Sequence, residues 1–504
     1  MDPFIIPKPS ELKINENKFQ LKDNFTVYLD AQLSLEHITD FITQHLLPPT
    51  GFHFQTETSN IDNAQLCFIY SDNIPNEGYE LSLTTDKLLI KSSTPAGHFY
   101  GLITFMQLLP KEIFSDTKSS SDITWEAPCV TIKDSPKYSW RGMHLDCSRH
   151  FVTFEDVKKF IYWMSLHKLN TFHWHLTDDQ GWRFESKKYP KLTEVGSMIT
   201  DDKGTVEGQF FYTQGQMKEI VEYARKLCIT VVPEIEMPGH CDAALNAYPD
   251  FCCKKELPAK SYWRRFKYHR CFCISNEKVI EFLKDILAEV IEIFDSKYIH
   301  IGGDEVLPGY WQICPDCQKL WAEKGFKDCE EYQSWFTKEI ANFLNEKGRL
   351  MIGWDEIIQE NLPKNTAIMI WRNHEIAQDA IEHNYPFVLV PNSCLYFDHN
   401  QFHSNEKDKY VYFGGMSTLK DVYMYDPLNG ISKPELILGI QACAWGEVMY
   451  DFKNVQWKVF PRICAMAETA WTNPELKDFE KFNEGLNKVH LARLEEMHIN
   501  YAHK

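Results

Sequence analysis

The chain has no apolar run long enough to span a bilayer, and Met1 is followed by DPFIIPKPSELK, which has neither a basic n-region nor an apolar h-region. A cytoplasmic or otherwise intracellular protein is therefore expected, with secretion or a lysosomal address only if the native N-terminus is missing. Basic clusters are scarce as well: outside Lys254 to Arg270 the lysines and arginines are dispersed, in a chain of formal charge -18. That balance argues against nucleic acid or an anionic membrane as the main partner and favours a neutral ligand. No internal repeat or low-complexity tract is present.

Cysteine is plentiful but unpatterned. Fifteen of them, an odd number, scattered through 504 residues, suit free thiols in a reducing compartment better than a disulfide framework. Cys252, Cys253, Cys271 and Cys273 flank one loop and would pair only under oxidising conditions. Cys314 and Cys317 form a lone CPDC without a second CxxC or a nearby histidine pair, so no metal site is expected there.

Two domains are expected. Residues 1–135 have an α+β pattern, with strand-like FTVYL, LCFIY, YELSL and KLLIK, a hairpin around Thr85 and Asp86, and an amphipathic helix HFYGLITFMQLL capped by Thr94 and Pro95. This part is expected to be structural. The polar SDTKSSSD, Ser115 to Asp122, reads as an exposed loop or a linker near the domain boundary. Residues 136–504 alternate short apolar strands with helices. Eight strand candidates follow one another: WRGMHLD, TFHWHLTDD, ITVVPEIEMPGH, YIHIGGDE, LMIGWDE, AIMIWRN, FVLVPNS and LILGIQACAWGE. The intervening helices carry caps at Thr153 with Asp156, at Thr213 with Gln216, and at Gly348. Eight βα units in succession predict an α/β fold, a closed (β/α)8 TIM barrel, whose active site lies at the strand C-termini.

Those termini hold the reactive residues: Asp178, Asp179, His240, Asp304, Glu305, Trp354, Trp371, Trp445 and Glu447. The glycines of HIGGDE let the chain turn so that adjacent Asp304 and Glu305 can reach one substrate. A solvated acidic turn is the plain alternative, and a second such dipeptide, Asp355 with Glu356, keeps it in play. Tryptophans at three strand ends suit stacking on a sugar, although in a barrel a single Trp is more often core. Arg149 offers a planar fork for two hydroxyls or a tie to Asp178, and Asp398 and Glu447 would accept from further hydroxyls. Neighbouring carboxylates cannot easily straddle a glycosidic bond as a retaining pair does. They fit a route in which a 2-acetamido carbonyl of the substrate attacks, Asp304 steadies the amide, and Glu305 serves as general acid and then base.

In chain order, RGMHLDCSRHF, HWHLTDDQGWR, PEIEMPGH, HIGGDEV, IGWDE and QACAWGE resemble the β-N-acetylhexosaminidases of glycoside hydrolase family 20, over about Tyr138 to Tyr501. The N-terminal part resembles the smaller domain that precedes the barrel in that family. The resemblance implies Glu305 as acid/base, Asp304 as the acetamido-orienting residue, and Tyr396 as donor to the acetamido carbonyl. Trp354, Trp371 and Trp445 would enclose the methyl, Arg149 would hold O3 and O4, and Asp398 and Glu447 would meet O4 and O6. Asp178 and His240 look like the pair that tunes the acid/base. It implies release of terminal β-linked GlcNAc or GalNAc with retention, no cofactor and no metal. The expected partner is a carbohydrate with a terminal N-acetylhexosamine; self-association as a homodimer is left open.

Three other readings are weighed. A metal-dependent barrel hydrolase would use His173 and His175, which alternate on one strand face, although such a pair can equally bond strand-end carboxylates. A sugar-binding protein without catalysis explains the tryptophans but not the acid pair. A conventional retaining glycosidase would need no acetamido group.

Overall fold

The computed structural model describes residues 3–120, 122–200, 206–253, 270–306, 308–402 and 408–503. Most of the basic cluster, residues 254–269, thus lies outside the described residues. The chain builds a seven-stranded mixed sheet and then a closed eight-stranded parallel barrel.

The sheet comprises β1 (Glu11–Gln20), β2 (Phe25–Leu29), β3 (Phe54–Glu57), β4 (Leu66–Tyr70), β5 (Tyr79–Leu83), β6 (Leu88–Ser92) and β7 (Glu126–Asp134), in the order β1-β7-β5-β6-β4-β2-β3. The β5–β6 hairpin is antiparallel as expected, and the Thr94 hydroxyl accepts from Gly97 N at the start of the helix Pro95–Leu108. That helix is not amphipathic in the event: every residue from Gly97 to Leu108 is buried. One side meets the sheet, while Tyr100 stacks edge-on against Trp471 of the barrel domain. The described residues at 115–120 and 122 are mostly exposed but lie inside the first domain, because β7 returns to the sheet after them; β7 ends at Asp134 and the barrel begins at Trp140.

The barrel strands are Trp140–Asp146, Thr171–His175, Thr230–Glu234, Tyr298–His300, Leu350–Trp354, Ala367–Ile370, Phe387–Leu389 and Ile437–Ala444, each inside one of the eight predicted stretches. All neighbours pair in parallel and the last closes on the first. Ala367–Ile370 and Phe387–Leu389, buried on both faces, are continuous apolar runs, whereas Thr171–His175 is equally buried but alternates polar with apolar residues. Thr153 and Thr213 cap their helices as read, the latter with a full capping box.

The sheet domain docks beneath the barrel, at the N-terminal ends of its strands. Arg141, second residue of the first strand, is fully buried and makes a bidentate pair with Glu77 at 3.0 and 2.8 Å. Lys168, ahead of the second strand, meets Asp134 at 3.1 Å, and Trp471 Nε1 donates to the same carboxylate at 2.9 Å. Removing one partner of such a buried pair costs about 3–5 kcal/mol. The first domain therefore holds the barrel floor and lies at the opposite end from the strand C-termini.

Candidate active site

At those C-termini a cavity of ≈ 250 Å³ is lined by Arg149, His240, Asp304, Glu305, Trp354, Trp371, Tyr396, Asp398, Trp445 and Glu447, ten of the eleven residues given a site role from the sequence; Asp179, named only as a strand-end acid, does not line it. The eleventh, Asp178, is buried behind the wall, where its Oδ1 lies 3.2 Å from His240 Nδ1 and its Oδ2 lies 2.8 Å from Arg149.

The backbone explains how adjacent acids share one cavity. Gly302 and Gly303 adopt φ of 66° and 95°, and Glu305 itself sits at 46°. A Cβ on Gly302 would stand 1.7 Å from Glu236 Oε2, and one on Gly303 2.5 Å from Ile357 Cγ2, so glycine is required on steric as well as conformational grounds. The turn aims both carboxylates at one imidazole: His240 Nε2 lies 3.6 Å from Asp304 Oδ2 and 3.5 Å from Glu305 Oε2. Asp304 is 14% exposed and Glu305 58%, so the first is set into the wall and the second faces out.

Burial, with Glu234 and Glu305 nearby, pushes the Asp304 carboxyl up to about 6 against the opposing pull of His240. Burial alone would depress His240, but Asp178 and Asp304 outweigh it and hold the imidazole well above its usual range. Burial and then Glu447 raise Asp398 well above the ordinary carboxylate value. Asp304 Oδ1, Asp398 Oδ1 and Glu447 Oε2 are buried and bond to no other residue. Such atoms cost about 1–3 kcal/mol apiece, which a hydroxyl- or amide-bearing ligand recovers.

The aromatic walls form a continuous set. Trp371 stacks on Tyr396 with centroids 6.1 Å apart, Tyr396 meets Trp445 at 5.9 Å, and Trp445 meets Trp354 at 5.6 Å. Arg149 lies over Trp445 at 5.2 Å while pairing with Asp146 and Asp178, so it is both a cavity residue and the loop tie considered above.

Below the cavity is a layer that sequence reasoning gave no role. Glu234 takes Trp354 Nε1 at 2.8 Å, His300 at 2.8 Å and His173 at 2.9 Å, and Glu236 lies against His175 at 3.4 Å. The alternation of Glu234 and Glu236 at a strand end was the available signal. His173 and His175 do not line the cavity. Each has both ring nitrogens beside a neighbour, Glu234 and Gln441 for His173, Asp146 and Glu236 for His175. Asn392, His399, Phe413 and Gly414 complete the lining.

The catalytic-domain model of glycosyl hydrolase family 20 matches residues 138–474, and the model of that family's domain 2 matches residues 2–135. A β-hexosaminidase of Porphyromonas gingivalis is 37% identical over 99% of this chain, which spans 64% of that relative's length. A β-hexosaminidase of Vibrio furnissii is 31% identical over 92% of this chain and 76% of its own. Among solved structures, the exo-β-N-acetylglucosaminidase of Vibrio harveyi in complex with N-acetylglucosamine superposes with a TM-score of 0.88 at 30% identity, covering 99% of this chain and 78% of that one. The β-N-acetylhexosaminidase of Bacteroides fragilis gives 0.86 at 30% identity, covering 99% and 97%.

Proposed function

The chain belongs to glycosyl hydrolase family 20, and from that premise we propose that it is an exo-acting, retaining β-N-acetylhexosaminidase that removes terminal β-linked GlcNAc or GalNAc by substrate-assisted catalysis. The observation that carries the reading is the placement of Asp304 and Glu305 against one imidazole nitrogen, on one side of an aromatic-walled cavity. Two carboxylates so placed do not flank a scissile bond, so the attacking atom has to come from the substrate. The acetamido carbonyl closes on the anomeric carbon to form an oxazolinium ion, and water then opens it with net retention.

Asp304, whose Oδ1 bonds to no other residue, accepts from the acetamido N–H and balances the positive charge that develops there. Glu305, the more exposed of the two, protonates the leaving oxygen and then takes a proton from water. His240, held by Asp178, sits between them and keeps their charges coupled. Tyr396 donates to the acetamido carbonyl, and Trp354, Trp371 and Trp445 enclose its methyl. Arg149, Asp398 and Glu447 meet the ring hydroxyls. A cavity of ≈ 250 Å³ suits one terminal sugar better than a continuing chain. The deciding experiment is turnover of paired aryl sugars with and without the 2-acetamido group, with the anomer of the first product followed by NMR. Turnover confined to the acetamido sugar with a β-product supports the route; equal rates on the glucoside would replace it with an enzymic nucleophile.

A further inference from the structure

Four cysteines from two separate stretches converge outside the cavity. Cys253 Sγ lies 3.6 Å from Cys317 Sγ, and Cys273 Sγ lies 3.7 Å from Cys317 and 3.9 Å from Cys314. All four sulfurs fall within 4.8 Å of one another. A disulfide would bring two of them to about 2.05 Å. Sulfurs at the corners of a tetrahedron about zinc, with bonds of about 2.3 Å, stand about 3.8 Å apart, which matches the three Cys317 and Cys273 distances above. We propose that Cys253, Cys273, Cys314 and Cys317 form a structural zinc site, closed on all four sides by thiolate.

The chain delivers the four ligands in two pairs. Cys314 precedes the ten-residue helix Pro315–Lys324 and Cys317 lies in its first turn, where the peptide dipoles favour thiolate. The other pair comes from an antiparallel bridge: Cys252 pairs with Phe272, and Cys273 N donates to Phe251 O at 2.9 Å, which sets Cys253 and Cys273 side by side. This second pair is twenty residues apart in sequence, so it is invisible as a CxxC. Cys317 is fully buried, Cys273 and Cys314 are 5% exposed and Cys253 is half-buried; four thiolates complete a tetrahedral zinc, which marks the site as structural. The Ser275 hydroxyl lies 3.3 Å from Cys273 Sγ and 3.4 Å from Cys317 Sγ, placed to donate to thiolate sulfur. Binding is acid–base only: Zn²⁺ displaces four thiol protons, and no electron is transferred.

The cluster bears on catalysis through Phe272, between the paired ligands. Its N–H donates to Pro238 O at 2.9 Å, two residues before His240, and its carbonyl accepts from buried Trp311 Nε1 at 3.0 Å. Trp311 belongs to the short helix Gly309–Ile313, a few residues beyond Glu305. The metal thus ties the turn that carries His240 to the segment that follows Asp304 and Glu305.

The test is elemental analysis of the full-length protein, prepared without chelator or polyhistidine tag. About one zinc per chain is expected, falling below about 0.1 in Cys317→Ser and Cys273→Ser and unchanged in Cys329→Ser, whose thiol lies outside the cluster. Cobalt substitution should give the charge-transfer and ligand-field bands of a tetrahedral S4 site. If the serine variants fail to fold, the wild type still decides: an organomercurial should release its one zinc as four thiols are consumed. Wild-type protein that holds no zinc and takes up neither zinc nor cobalt after thiol reduction overturns the proposal. So does a mass spectrum with these cysteines in disulfides, or iron in place of zinc.

Discussion

Two Asp–Glu dipeptides end barrel strands in this protein, and their surroundings differ in one decisive respect. Asp355 is buried and fully engaged: Oδ2 accepts from the backbone N–H of Trp371 and of Arg372 at 2.9 and 3.2 Å, and Oδ1 meets Arg372 Nε at 2.5 Å. Its neighbour Glu356 takes Trp371 Nε1 at 3.0 Å. Asp304, by contrast, leaves Oδ1 without a bond to any residue, and Glu305 stands out into the cavity. The first pair spends its hydrogen-bonding capacity on holding a tryptophan; in the second, Asp304 Oδ1 is left for a ligand. What separates a structural dipeptide from a chemical one is how many of its acceptor sites the protein itself fills.

The sharpest way to break that contrast is at the cavity pair. Glu305→Gln should lower kcat/KM by about 10²–10⁴ on substrates with poor leaving groups and by much less on activated aryl glycosides, which need no protonation. Equal losses on both would remove Glu305 from the acid role. Asp304→Asn should cost about 10²–10³ in kcat, with the loss confined to acetamido substrates, as for deletion of one preorganised electrostatic partner. A near-normal rate would put Asp304 in the same structural class as Asp355.

Much of this was legible in the residues. All eight barrel strands fall within the stretches read from apolar runs, since strands buried on both faces leave a strong local signature. Ten of the eleven nominated residues share one cavity because the fold gathers strand ends, so position along each strand was enough. What escaped depends on contacts distant in sequence. β1, with most of its residues exposed, carries no clean alternation, and the helix Pro95–Leu108 looked one-sided because its second buried face meets a domain hundreds of residues away. Glu234, Glu236 and Glu356 have the same chemistry as any strand-end acid until their partners are known. The cysteine cluster is the extreme case, since half of its ligands have no spacing signature.

The structural dipeptide should respond more mildly. Glu356→Gln keeps the shape but exchanges the acceptor for Trp371 Nε1 for an amide that can turn either way. The expected effect is a rise in KM of less than about tenfold with kcat nearly unchanged, as for loosening one wall by about 1 kcal/mol. A fall in kcat comparable to that of Asp304→Asn would mean that Glu356 also reaches the reacting atoms and that the two dipeptides are less different than their bonding suggests.

The smallest effect is on stability, and it separates the two by pH. Both carboxyls are raised in the folded protein, Asp304 to about 6 and Glu356 to about 8, by burial first and neighbouring acids second. A raised carboxyl favours the native state fully only below its unfolded value, and that contribution is lost as pH climbs through the folded value. Neutral replacements escape the loss. Asp304→Asn should therefore match the wild type in Tm near pH 4, gain up to a few degrees by about pH 6, and hold that margin constant above it. Glu356→Gln should go on gaining until about pH 8. Thermal melts of both variants and the wild type across this range check the order. If the two margins stop growing at the same pH, the acids titrate as one coupled set spanning the wall between them, and the contrast drawn from their hydrogen bonds would not extend to their charges.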